Sequence, residues 1–225
     1  MTVNRLKARL LREESGFTLV EMMVTMMIMI IVLFALYGIF DMSLRVFSFS
    51  NNKVEAVEQA RVGLERMERE IRAAYPYNKP ADTRVLTTMA RNEIAFGNDL
   101  DGDYAVETGE VIRYRLLKES FPVDPCDPGD SDCKVYRSKG SSFSRLVEFV
   151  RAPTTSPAYE GGLRFTYLKA DGPDAGTDLD PTTNTADEPY IKAVRIELDV
   201  SVDEGSRDEA TQTLVTEVSL RNREE

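Results

Sequence analysis

Carboxylates at regular spacing and a single pair of cysteines are the residues of this chain whose types and positions could do chemistry. Glu21 is the one acid in an apolar run of 24 residues from Phe17 to Phe40. An ionised side chain near the middle of a membrane-spanning helix costs roughly 2.5–3.5 kcal/mol. Such a carboxylate strongly prefers an opposite charge to solitude; the other way out is to snorkel to the cytoplasmic interface. A second set begins at Asp99. Counting from it, Asp99, Asp101, Asp103, Glu107 and Glu110 fall at positions 1, 3, 5, 9 and 12. That count mimics a calcium-binding loop, in which alternating oxygen ligands converge and a final Glu chelates. Position 6, which such loops give to Gly, is Tyr104, while Gly102 stands at position 4. Strand-like segments flank it as well, so the residues favour a polar β-hairpin with Asp-Gly turn chemistry and leave calcium as the alternative. Cys126 and Cys133, the only two cysteines, bracket six residues in a turn-rich stretch. In an oxidising compartment they would form a disulfide. Closing a loop of eight residues contributes on the order of 2.5 kcal/mol through lost chain entropy. Zinc is disfavoured, because a structural site wants four Cys or His ligands and the chain has no His.

The elements that must position these groups follow from hydrophobic pattern. About 20 apolar residues suffice to cross a bilayer as a helix, so residues 17–40 are long enough to span. Arg5, Lys7, Arg9 and Arg12 precede the run, and Asp41, Arg45 and Lys53 are the first charges after it. That asymmetry places the N-terminus inside and the rest outside, in a single pass through the cytoplasmic membrane. A secretory signal peptide would have a core of only about 7–15 apolar residues with a small-x-small site after it. Residues 51–75 continue as an amphipathic helix, with Val54, Val57, Leu64, Met67 and Ile71 on one face. Glu65, Glu68, Arg69 and Glu70 give it a solvated opposite face. Pro76 ends the helix and Pro80 discourages a restart. A continuous helix over 17–75 would be roughly 89 Å long. Beyond it the pattern predicts strands at 85–89, 93–96, 111–117, 134–137, 145–150, 163–168, 191–202 and 213–220. Leu163, Phe165 and Tyr167 alternate with polar residues, as do Val194, Ile196, Leu198 and Val200. Such alternation predicts an antiparallel sheet with one face on a core. The expected fold class is therefore α+β, a long N-terminal helix packed on a curled antiparallel sheet. Its parts are a leader at 1–16, a helix at 17–75 (17–40 spanning, 41–75 amphipathic) and an extracytoplasmic β-rich domain at 76–225. Residues 171–189, rich in Asp, Gly, Pro and Thr, read as a long exposed loop.

The run Gly16-Phe17-Thr18-Leu19-Val20-Glu21 after a short basic leader resembles the N-terminus of type IV pilins and of the pseudopilins of type II secretion. The resemblance implies cleavage between Gly16 and Phe17 by a prepilin peptidase on the cytoplasmic face, and N-methylation of the new terminus at Phe17. It implies that Glu21 pairs with the N-terminal amine of a neighbouring subunit in a filament. It also implies partners: other pilins or pseudopilins, an inner-membrane assembly platform, and membrane lipid before assembly. Pilins often break their helix near the position of Gly38; tolerance of a Gly for close packing in the membrane explains that residue equally well. The helix end ARVGLERMEREIRAA and the segments EVIRYRL, GGLRFTYL and IKAVRIELDV are similar in layout to J-type minor pseudopilins and W-type minor pilins.

Composition bounds function. The chain has 225 residues and a formal net charge of −10; the leader carries a net +2, so the mature balance is −12. No nucleic-acid surface is expected, since that needs clustered Lys and Arg. No enzyme is expected either, because there is no His, no phosphate-binding Gly loop and no nucleophile elbow. No cofactor is expected, calcium at 99–110 excepted. Three functions fit: a minor pilin or pseudopilin that initiates or caps a filament, a tip adhesin or cargo-binding module, or an anchored envelope protein that never assembles.

Overall fold

The computed structural model describes residues 16–76, 85–119, 124–127, 130, 132–153, 161–169, 178–179, 191–202 and 210–220. The basic leader, Pro80 and most of 171–189 lie outside these. Helix α1 runs Leu19–Arg72, and nine strands follow: β1 Leu86–Met89, β2 Glu93–Gly97, β3 Val111–Lys118, β4 Cys133–Lys139, β5 Ser142–Val150, β6 Leu163–Lys169, β7 Asp178–Leu179, β8 Ile191–Val202 and β9 Ala210–Ser219. The chain divides into two compact units at Ser48 and Phe49.

In the first unit, α1 is unbroken through Gly38, and a Cβ placed there would meet nothing within 4 Å. The glycine thus does not break the helix, and among the described residues none packs against it.

In the second unit every strand pairing among the described residues is antiparallel. Strands β1 to β5 form a meander, β5 joins β8 at Val150–Val200, and β8 is flanked by β6 along most of its length and by β9 on its other edge. The sheet curls because β6 returns to the β1–β2 turn: Phe165 N donates to Arg91 O at 2.7 Å, and the buried Tyr167 hydroxyl donates to Ala90 O at 3.1 Å. Alternation decides the faces as expected, with Leu163, Phe165, Tyr167, Val194, Ile196, Leu198 and Val200 all buried. β7 is a departure. It adds a two-residue strand within the segment read as loop, pairing Tyr167 with Leu179.

The helix face that meets the sheet differs from the expected one. Leu64, Met67 and Ile71 are buried and Val57 partly so, but Val54 is exposed. Ala56, Ala60 and Gly63 complete the buried stripe. Successive residues turn about 100°, which puts Val54 roughly 200° from Ala56 and off the stripe. Small residues line the stripe because the sheet comes close. A Cβ on Gly63 would lie 2.7 Å from Val147 Cγ2 in β5. Glu70 is the second correction. It lies two turns beyond Gly63 and only about 20° off its line, so it turns toward the sheet instead of solvent, its side chain 15% exposed.

Candidate functional site

Residues 16–22 form the start of α1, and local chemistry explains why the helix begins there. Thr18 precedes the first helical residue, and its Oγ1 accepts a hydrogen bond from Glu21 N at 3.2 Å; Met22 N donates to Thr18 O at 3.2 Å. Thr18-Leu19-Val20-Glu21 is the sequence of a capping box, with the Ser/Thr at the cap and the Glu three residues on. Thr18, one position of the Gly16–Glu21 motif, thus has a capping role, and the Thr-x-x-Glu spacing before an apolar run is its sequence signal. Glu21 sits in the first helical turn, where the positive end of the helix dipole favours an acid. Phe17 is 75% exposed, and a Cβ placed on Gly16 beside it would meet no described residue within 4 Å.

Between Leu19 and Phe47 the large apolar side chains of the helix are exposed, and consecutive residues such as Met26, Met27, Ile28, Met29, Ile30 and Ile31 cover every direction around its axis. A helix apolar all round has no solvated face, so its stable surroundings are lipid or other apolar helices. It is long and apolar enough to cross a membrane.

The acidic loop holds together through its own backbone. Carboxylate oxygens of Asp99, Asp101 and Asp103 lie within 4.8 Å of one another. Asp99 accepts from Gly102 N at 2.7 Å and from Tyr104 N at 3.1 Å, Asp101 from Asp103 N, and Asp103 from Ala105 N. Tyr104 adopts a φ of +66°, the left-handed backbone for which a calcium loop keeps a Gly at this position. Glu107 and Glu110 do not join the three aspartates. Glu110 is buried, and its two oxygens accept from Leu100 N at 2.9 Å and Glu107 N at 3.2 Å. Three of the five expected ligands therefore converge, and the would-be chelating Glu caps backbone instead.

Cys126 and Cys133 are joined as a disulfide, with Cα atoms 5.7 Å apart and both residues buried. The bond ties β4 to the segment that pairs back on β3 through Leu117–Pro125 and Cys126 N to Leu116 O. Lys118 Nζ meets Asp130 at 2.9 Å; its hydrogen bond holds the Asp130 carboxyl below the usual range and raises Lys118.

A further polar cluster fastens helix to sheet. Glu70 Oε2 accepts from Tyr114 Oη at 2.5 Å and Arg137 Nε at 2.9 Å, and Oε1 accepts from Arg66 Nε at 3.1 Å. Burial raises the Glu70 carboxyl, but the hydrogen bonds from Arg137, Tyr114 and Arg66 outweigh it and hold the group below its ordinary value. Burial, and then the Glu70 carboxylate beside it, push Tyr114 well above the ordinary phenol range.

A family model described as the prokaryotic N-terminal methylation motif matches residues 11–37, the leader's end and the apolar helix. No curated protein matches the chain. The motif supports a subunit like those of type IV pilins and pseudopilins, which are structural proteins, and implies processing by a prepilin peptidase and assembly with other pilins. With the exposed apolar helix it points to a membrane-anchored protein.

Proposed function

We propose that this chain is a minor pilin or pseudopilin, held in the cytoplasmic membrane by residues 17–40 until it enters a filament that it helps to initiate or cap. The observation carrying this reading is the conjunction of Gly16-Phe17-Thr18-x-x-Glu21 with a helix apolar on all sides. Cutting before Phe17 leaves an ammonium at the positive end of the helix dipole, an unfavourable place for a cation. Glu21 lies only about 6 Å further along the axis. A neighbouring subunit's Glu21 reaches the same amine when apolar helices pack side by side, and in that dry setting the pair is worth most. The large β domain and its likeness in layout to J-type pseudopilins and W-type pilins favour a minor subunit over the bulk one. The prepilin peptidase that also methylates Phe17, the membrane assembly platform and the other pilins are its partners.

Mass spectrometry of the processed chain is expected to find an N-methylated Phe17 terminus. Glu21→Ala is expected to leave processing intact and to abolish crosslinking to other pilins. Unaltered crosslinking would reject the pairing role in favour of an anchored protein that never assembles. A mature chain that begins elsewhere would reject the pilin reading itself.

Calcium binding at 99–110 is a second role, favoured by the three convergent aspartates and the left-handed Tyr104. With Glu110 engaged by backbone, the site would fall among the weak extracytoplasmic ones, with Kd about 0.1–1 mM. Calcium in that range is expected to raise the melting temperature, and Asp101→Asn to remove the rise. No rise would make the loop a plain hairpin.

A further inference from the structure

The outward face of the sheet carries a polar groove. Along β3, Ile112, Tyr114 and Leu116 turn to the core, which sends Arg113 and Arg115 to the other side. Strand register aligns Thr88, Ala95, Arg113, Ser138 and Phe143 in one lateral row across β1 to β5. Ala95, the smallest of them, is fully buried in this row. The groove has a volume of about 590 Å³, and Thr88 and Ser138 of this row line it together with Thr87, Thr108, Ser141 and Ser142.

Its charges are uneven. Arg113 Nη1 is committed to Glu93 Oε1 at 2.8 Å. Arg115 also lines the groove and is only partly exposed; strand register sets Glu93 opposite it, but its side chain makes no ion pair or hydrogen bond to a described residue. In a chain of net charge −10, Arg113, Arg115 and the single Glu93 between them leave one net positive charge beside the groove. One wall is aromatic: Phe143 is 43% exposed and stacks on the buried Tyr136, ring centroids 4.8 Å apart, which fixes its orientation.

We propose that this groove binds an acidic sugar, a saccharide unit bearing one carboxylate. The planar fork of Arg115 matches a carboxylate bidentately. Ser and Thr hydroxyls both donate and accept, as the hydroxyls of a sugar require of their partners. The exposed ring of Phe143 offers an apolar surface to the less polar face of a pyranose. A volume of this size lies within the range of small-molecule sites and holds one or two sugar units. A single net positive charge is too little for a nucleic-acid backbone, and the hydroxyl-rich lining suits a polyol better than an apolar peptide.

The full-length chain in detergent micelles is titrated calorimetrically with glucuronate, a triuronate, glucose, glucose 6-phosphate and inorganic phosphate. Glucuronate is expected to bind with Kd of about 1 mM, the triuronate more tightly, and glucose at least about tenfold more weakly because it lacks the charge-assisted pair. Arg115→Ala is expected to weaken glucuronate about tenfold without moving the melting temperature. Ser138→Glu, which sets a negative charge in the lateral row beside Arg113, is expected to do the same. Equal binding of glucose and glucuronate, or binding unaffected by both variants, would overturn the proposal. So would a preference for glucose 6-phosphate, which would assign the groove to phosphate, or competition by inorganic phosphate at equal strength, which would make it an adventitious anion site. Absence of saturable binding by both uronates would also overturn it.

Discussion

Replacing Glu70 with Ala removes the acceptor of three hydrogen bonds, two that join α1 to β3 and β4 and one within α1. It also strands Arg137, whose side chain is 12% exposed, and leaves the hydroxyl of the buried Tyr114 without its acceptor. Breaking a buried ion pair by deleting one partner costs about 3–5 kcal/mol. Here the lower end applies, because neither Glu70 nor Arg137 is fully dry and Arg66, 40% exposed, keeps much of its hydration. The expected loss is about 3 kcal/mol, a large share of the roughly 5–15 kcal/mol that holds a domain folded. For a domain of this size it corresponds to a melting temperature lower by about 6–12 °C. Glu70→Gln keeps the shape and removes the charge, and is expected to cost about half as much. The penalty of Glu70→Gln is also pH-dependent. Because folding lowers the pKa of Glu70, its contribution is complete above the unfolded value and is lost as pH falls through the folded one. Denaturant unfolding of the full chain in micelles, at neutral pH and at successively lower pH, should show the wild-type advantage over Glu70→Gln shrinking toward zero in acid. A Glu70→Ala variant that melts within about 1 °C of wild type, or a Gln penalty that does not change with pH, would refute the claim that this carboxylate fastens helix to sheet.

Three further outcomes test other parts of the fold. Gly63→Ala should lose about 1 kcal/mol in unfolding experiments: the Cβ collides with Val147 at 2.7 Å, and overpacking by about 1–3 kcal/mol outweighs the roughly 1 kcal/mol gain in helix propensity; trimming the contact in Gly63→Ala/Val147→Ala should recover part of the loss relative to Val147→Ala alone. Replacing Cys126 and Cys133 together by Ser should cost about 2.5 kcal/mol of loop-closure entropy, with a further loss from placing hydroxyls where both sulfurs are buried; a melting curve superimposable on wild type would show that the bond contributes nothing. Tyr104→Gly should stabilise the calcium-free chain by about 0.5–1 kcal/mol, since a left-handed backbone costs a non-glycine residue about 1–2 kcal/mol and the Tyr104 side chain is 75% exposed; destabilisation in thermal melts would mean that the ring makes contacts worth more than the strain.

What the sequence determined by itself was local. The apolar run, the Gly16–Glu21 motif, the alternation of β6 and β8 and the pairing of the only two cysteines are legible because each depends on residue type and short-range period. Capping by Thr18 was legible in principle for the same reason. The tertiary structure decided whatever depends on which segments meet. Periodicity marked large apolar side chains as the inner face of α1, yet the close approach of β5 selects Ala56, Ala60 and Gly63 for that face and leaves Val54 in solvent. Glu70 reads as one more charge on a solvated helix until Tyr114 and Arg137, 44 and 67 residues further on, arrive to bind it. Glu110 reads as a calcium ligand until the loop folds back and presents two amide groups to its carboxylate. The lateral row from Thr88 to Phe143 exists only through strand register. A one-dimensional pattern carries the preference of each residue for apolar or polar surroundings. The identity of the neighbour that satisfies it is a property of the folded sheet.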